Sequence, residues 1–198
     1  FRRVLFRSVD LMILPRKVEQ IQNAIDVLVE NQVPFMVMGN GSNLLVRDNG
    51  IRGAVIKIAD TFSNAEVKGG IIQAQAGILL SSLSRLALKS SLTGLEFASG
   101  IPGTLGGAVT MNAGAYGGEM KDVIKSVWIL DEDGKVELLD SEQLALGYRT
   151  SIIQNTKKIV LEVLMELKKG DYETSYSLIK DLTKRRQEKQ PLTYPSAD

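Results

Sequence analysis

Phe35-Met36-Val37-Met38-Gly39-Asn40-Gly41-Ser42-Asn43-Leu44 is the stretch on which the fold turns. Four large apolar residues predict a short buried strand, and the small residues behind them predict a tight loop at its end. Upstream, Val18, Ile21, Ile25 and Leu28 recur at helical spacing through Glu30, and residues 11–14 read as a strand that Pro15 closes. Strand, helix, strand and Gly-rich loop fit within about 35 residues, the size of a βαβ unit.

Downstream the pattern changes. Residues 53–58 predict a strand, and residues 65–76 a hairpin turning at Lys68-Gly69-Gly70. Residues 78–91 predict a helix that Gly94 ends. A boundary fits near residues 60–64. Residues 94–118 carry eight glycines in 25 residues but also Leu95, Phe97, Ile101, Leu105, Val109 and Met111. A flexible Gly/Ser spacer lacks such residues, so this segment reads as a compact coil whose backbone closely approaches something. Residues 123–130 and 135–139 predict a hairpin across Asp131-Glu132-Asp133-Gly134, Asp140 with Gln143 a short capped helix, residues 158–167 a strand and residues 173–184 a helix. The sum is α+β with mixed strand connections, not the regular alternation of a doubly wound sheet.

Composition removes several kinds of chemistry. The 198 residues hold no Cys and no His, which excludes disulfides, the common zinc sites, a cysteine nucleophile and any His-based triad. No metal site is expected, and a flavin held covalently through His or Cys is excluded. A formal charge of +1, from 24 basic and 23 acidic residues, argues against a nucleic-acid partner. No apolar run approaches the roughly 20 residues of a membrane span, so no membrane partner is expected. The chain begins without Met and ends at Tyr194-Pro195-Ser196-Ala197-Asp198 with no closing element, which reads as a fragment.

The Gly39–Leu44 loop can turn consecutive backbone N–H groups outward as an anion nest, or be a plain tight turn with a left-handed Asn. The third glycine of a G-x-G-x-x-G is missing, because Leu44 stands there, and no Gly-Lys-Ser/Thr follows; nicotinamide-type and Walker-type phosphate sites are thereby disfavoured. Gly100-Ile101-Pro102-Gly103-Thr104-Leu105-Gly106-Gly107 and Met111-Asn112-Ala113-Gly114-Ala115-Tyr116-Gly117-Gly118 add two more backbone-rich elements. Three of them suit a long ligand with a pyrophosphate and a flat ring, and a flavin dinucleotide fits better than a mononucleotide.

Those three segments, with Gly94-Leu95-Glu96-Phe97-Ala98-Ser99 and Gly147-Tyr148-Arg149-Thr150-Ser151, closely resemble the UDP-N-acetylenolpyruvoylglucosamine reductase family over residues 11–197. The resemblance implies a two-subdomain FAD-binding fold of the vanillyl-alcohol-oxidase (PCMH) type, with subdomains over residues 11–60 and 61–190. It implies noncovalent FAD, NADPH as hydride donor, a nucleotide-sugar substrate, a role in peptidoglycan precursor synthesis and a cytoplasmic location. Carried over residue by residue, Gly39, Asn40, Gly41, Ser42, Asn43 and Leu44 hold the FAD pyrophosphate. Gly100, Ile101, Pro102, Gly103, Thr104, Gly106 and Gly107, with Asn112, Ala113, Gly114 and Ala115, line the flavin and adenosine. Arg149 is the catalytic cation on the substrate carboxylate, and Tyr148 joins it in binding substrate. Without the resemblance, Arg149 reads as a solvated arginine beside a strand; Tyr116 and Tyr148 can pack against cofactor or substrate, but a half-buried structural ring is the commoner case. Trp128 reads as core; the basic run Lys184-Arg185-Arg186, followed by Lys189, suits diphosphate recognition on a substrate, but a solvated helix end is the reading preferred.

The family continues past residue 198 with a serine that protonates the enol and a substrate domain bearing a glutamate. Ser196 is not that serine, so residues 191–198 read as the start of a domain not contained here and the chain as incomplete for catalysis. Residues 1–10 match nothing in the family and read as foreign or disordered sequence. The alternatives are another noncovalent flavoprotein oxidoreductase of the same fold, and a catalytically dead FAD-binding fragment.

Overall fold

A computed structural model describes residues 9–189. Residues 1–8 and 190–198, Ser196 among them, lie outside the described residues, and so do most of the expectations for the two ends.

The N-terminal part is the βαβ unit. Strand β1 (Val9–Ile13) leads into helix α1 (Val18–Glu30), then β2 (Phe35–Met38) and β3 (Ile51–Lys57), and the three strands form a parallel sheet in the order β1-β3-β2. Central β3 has Ala54, Val55 and Ile56 fully buried, the unbroken apolar run of a strand covered on both faces. Helix α1 buries Ile21 and Leu28, one stripe of its surface. Strands β2 and β3 run parallel, which demands a crossover of about a dozen residues. Residues 39–50 supply it as loop, so the Gly-rich segment is pinned between two strands of one sheet. β1 starts two residues before the expected strand, and the Asp10 carboxylate accepts from the Gly53 N–H (2.8 Å) and pairs with Arg52 (3.0 Å).

The second part is an antiparallel sheet. After a 3₁₀ turn at Asp60–Phe62 come β4 (Ala65–Lys68) and β5 (Ile71–Gln75), helix α2 (Leu80–Lys89) and β6 (Leu92–Thr93). A 3₁₀ turn at Glu96–Gly100, helix α3 (Leu105–Thr110) and the small hairpin β7 (Gly114–Ala115) with β8 (Gly118–Glu119) follow. Then come β9 (Ile124–Leu130), β10 (Val136–Asp140), β11 (Ile159–Glu166), β12 (Lys168–Lys169) and helix α4 (Tyr172–Lys189). The five long strands are ordered β10-β9-β11-β5-β4, and every neighbouring pair is antiparallel. One continuous core joins α1 and β3 of the first sheet to α2, α3, β5, β9 and β11. Trp128 packs partly buried against it.

Four expectations change. The Gly94–Gly118 segment is not coil: two glycines in α3 carry a helix penalty of about 1 kcal/mol each, yet Leu105, Ala108 and Val109 are buried and packing prevails. Helix α2 ends at Lys89, well before Gly94, and the chain turns away at Ser91, which takes the left-handed conformation (φ 52°). Asp140 and Gln143 do exchange side-chain bonds (2.8 and 2.9 Å), but no helix follows, because Ala145 turns left-handed at φ 46°. Helix α4 runs five residues past its expected end.

Helix α4 is latched to the glycine-rich segment by a buried carboxylate. Glu96 is 8% exposed and accepts from Ser175 Oγ (2.6 Å), Thr93 Oγ1 (2.7 Å) and the Gly94 N–H (2.8 Å). Burial alone raises its pKa, but these donors outweigh burial and hold it below the usual carboxylate value. A carboxyl with a lower pKa in the folded chain adds stability above its unfolded value, near 4.3, and loses it as pH falls toward the folded value. Glu96→Gln is therefore expected to cost about 2 kcal/mol at pH 7. The variant should also lose less stability than the parent between pH 5 and pH 3. Urea midpoints taken across that range check both statements.

Candidate functional site

A cleft of about 1210 Å³ opens between the β2–loop edge of the parallel sheet and the α3 side of the antiparallel one. It exceeds the roughly 300–1,000 Å³ of ordinary small-molecule pockets, as a ligand longer than a mononucleotide requires. Gly39, Asn40, Gly41, Ser42, Asn43 and Leu44 line one wall. Ile101, Pro102, Gly103, Thr104, Gly106, Gly107 and Ala113 line the other, and Arg149 reaches its edge.

Side chains of the first loop stitch the walls together. Asn40 Nδ2 donates to the Pro102 carbonyl (3.1 Å), and Asn43 Nδ2 contacts Met111 Sδ (2.9 Å). The start of α3 is fixed from behind, where Leu105 and Gly106 N–H groups donate to the carbonyls of Ile78 and Ala76 (2.8 Å each). Two features test the fit of a dinucleotide. A Cβ on Gly39 would lie 2.1 Å from Thr104 Oγ1, so the walls meet only because residue 39 has no side chain. Thr104 is 1% exposed, and its hydroxyl has no hydrogen-bond partner among the described residues. Folding rarely leaves a buried hydroxyl unpaired, and one on a cleft wall suits a polar ligand atom. The residues present fit FAD.

Five expected residues do not line the cleft. Gly100 lies against Arg186. Gly114 and Ala115 are spent in the β7–β8 hairpin. Tyr148 is 90% exposed at a turn tip, and Asn112, 2% exposed, directs its amide into the protein. Other cleft residues were not read from the sequence: Asp131, Glu132 and Gly134 of the β9–β10 turn, Gln154, Lys157 and Lys158; Arg186, from the basic run expected at a solvated helix end, lines the cleft too. Helical geometry divides the basic run of α4. Arg185 pairs with Asp181 (2.8 Å) and Lys184 with Glu188 (4.0 Å), whereas Arg186 turns toward the cleft and donates to the Gly100 carbonyl. Four cations against two carboxylates on the lining suit a diphosphate. Among the described residues no cluster of ligating side chains fits a metal ion, and no helix is long and apolar enough to cross a membrane.

Arg149 sits on a two-residue turn. The Gly147 N–H donates to the Thr150 carbonyl (3.1 Å), the Thr150 N–H returns the bond (3.3 Å), and Arg149 lies at φ +55°. This position of such a turn normally takes Gly or Asn.

A βαβ lobe with a glycine loop, joined to an antiparallel sheet across a long cleft, defines a binding protein for a dinucleotide cofactor. Residues 9–140 match the family model described as FAD binding domain, and the chain belongs to that family of flavoproteins. It is 55% identical over 188 residues to the UDP-N-acetylenolpyruvoylglucosamine reductase of Alkaliphilus oremlandii (strain OhILAs), covering 95% of this chain and 62% of that protein. The chain thus spans about 62% of the length of this curated relative. It superposes on the crystal structure of UDP-N-acetylenolpyruvylglucosamine reductase from Thermus caldophilus with a TM-score of 0.76 at 35% identity, over 91% of this chain and 63% of that one. A Phl p 4 variant, a glucose oxidase, shares the fold at 17% identity, with a TM-score of 0.59 over 80% of this chain and 34% of its own. The expected α+β fold of the PCMH type stands.

Proposed function

We propose that this chain is the FAD-binding part of an NADPH-dependent reductase that converts UDP-N-acetylglucosamine enolpyruvate to UDP-N-acetylmuramate in the cytoplasm. Two subdomains, residues 11–60 and 61–190, hold the cofactor noncovalently between them. The observation that carries the reading is the cleft whose glycine walls meet at Gly39 and Thr104, with Arg149 at its edge, in a chain similar to reductases of that name. Held by Gly39–Leu44 and residues 101–107, FAD would supply the hydride carrier between NADPH and the enolpyruvyl carbon.

The chain's own residues supply placement and charge. Gly39–Leu44 and residues 101–107 offer backbone groups at a separation set by the Asn40 to Pro102 bond, and the unpaired Thr104 hydroxyl gives one further polar contact. Arg186, from α4, holds the Gly100 end of the second wall. Arg149 presents a planar fork to the substrate carboxylate. Hydride addition pushes electron density toward that carboxylate, so a fixed cation there stabilises the transition state more than the ground state. Tyr148, beside it on the turn, is exposed, and in this reading it meets substrate from outside the cleft.

The visible spectrum of the purified chain, followed by FAD titration under fluorescence detection, tests the reading. A bound, quenched flavin supports it. No binding well above micromolar FAD overturns the claim that this chain shapes the site.

A further inference from the structure

We infer that Asn112 is a positioning residue: it holds the Gly147–Thr150 turn, and with it Arg149, against the end of α3. The consequence for catalysis rests on the function proposed above; the clamp itself rests on geometry alone.

Asn112 follows Met111, the C-cap of α3, is 2% exposed and lies at φ +40°. Its carboxamide is fully committed within the protein. Oδ1 accepts from the Lys121 N–H (2.9 Å), and Nδ2 donates to Glu119 Oε2 (2.7 Å) and to the Gly147 carbonyl (2.9 Å). A carboxamide has two N–H donors, and both point at protein acceptors, so none is left for a ligand. Gly147 is one end of the turn that carries Arg149, and its two backbone bonds to Thr150 make the tip move as a unit with it.

A second tether secures the other side. Ser151 Oγ donates to the Thr110 carbonyl in the last turn of α3 (2.7 Å). The arm bearing Arg149 is thus clamped on both sides to the C-terminal end of α3, the helix whose Gly106 and Gly107 line the cleft. The helix against which the cofactor is expected to lie therefore also sets where the cation stands. Asn suits position 112 better than Asp. It tolerates the left-handed backbone, and it donates where Asp would set a carboxylate against both Glu119 and a carbonyl oxygen.

Coupling to Arg149 predicts non-additivity. In a chain of the relatives' full length, Asn112→Gly should slow the reductase reaction in an otherwise unchanged background but cost nothing further beside Arg149→Gly. Additive losses would overturn the claim that it acts through Arg149.

The clamp is tested on the chain as it is, without FAD, by trypsin. Arg149 is an exposed cleavage point whose turn must open to enter the protease. Asn112→Gly keeps the left-handed backbone and deletes the amide. We expect cleavage after Arg149 about tenfold faster than in the parent, the factor that about 1.4 kcal/mol of local closing free energy represents. Cleavage after exposed Lys135, in the β9–β10 turn, should keep its parent rate. Ser151→Ala should give the same selective pattern, which covers the case in which a variant at 112 folds poorly. Unchanged cleavage at Arg149 in both variants overturns the clamp. Equal acceleration at Arg149 and Lys135 also overturns it, since that marks general loosening. Because no flavin is present, a failure to bind FAD leaves this result intact.

Discussion

Gly39→Ala is expected to weaken FAD binding by at least about a hundredfold, close to 2.7 kcal/mol of binding free energy, in a chain that still folds. The new Cβ would stand 2.1 Å from Thr104 Oγ1, 3.2 Å from Thr104 Cβ and 3.4 Å from its Cγ2. A rotamer change moves the hydroxyl but leaves the tight approach to Cβ. Thr104 itself has nowhere to go: it is 1% exposed and bridges to Leu79 at the start of α2. The strain is relieved only by moving the Gly39–Leu44 loop away from residues 101–104, which breaks the Asn40 to Pro102 bond and misplaces both sets of backbone groups at once. Overpacking of this kind costs about 1–3 kcal/mol of stability, less than the whole of a typical domain. Thr104→Ala in the same chain removes two of the three clashing atoms and should recover most of the lost stability, while affinity stays low for want of the hydroxyl. Urea denaturation and FAD fluorescence titration separate the two effects. Parent affinity in Gly39→Ala would place the cofactor elsewhere.

What the sequence discloses follows from how local each cause is. The βαβ unit is legible because α1 and β2 each announce themselves by period, and because a run of small residues behind a buried strand has few uses. Helix α3 is not legible. Gly106-Gly107 argue against it locally, and only the burial of Leu105, Ala108 and Val109 against β11 and its neighbours makes it form. Order in the antiparallel sheet, where β11 lies between β9 and β5, is likewise a property of pairs far apart in the chain.

The site divides along the same line. The two glycine walls can be read because a close approach needs residues without side chains, wherever the partner sits. Arg186 cannot be read, since in a row of three basic residues only the helix phase, fixed by the Ser175–Glu96 latch, decides which one turns inward. Asn112 shows a further limit. A left-handed Asn beside glycines is a sound signal of a special backbone, yet nothing local tells whether its amide faces a ligand or the protein.

Arg149→Gly is expected to slow the reductase reaction by about 10²–10³-fold while leaving the fold as stable as before or more so. The two halves have opposite signs because Arg149 occupies a place its turn does not favour. At φ +55° an ordinary side chain costs roughly 1–2 kcal/mol relative to glycine. Glycine recovers that, less the extra freedom it grants the unfolded chain, for a net gain of up to about 1 kcal/mol. Had the turn been selected for stability alone, glycine would stand there. A non-glycine residue held at positive φ on the edge of a cleft is backbone strain kept at the point of use. Arg149→Lys separates charge from shape. It retains the strain and the positive charge but loses the planar fork, so it should fall between parent and glycine in rate and match the parent in stability. Rates from the enolpyruvyl substrate with NADPH, in a chain of the relatives' full length, and urea midpoints in this one decide the matter. If Arg149→Gly lowers stability and rate together, the arginine is a structural part of the turn and the cation on the substrate carboxylate must be sought elsewhere. Arg186 is then the first to examine, because it lines the same cleft.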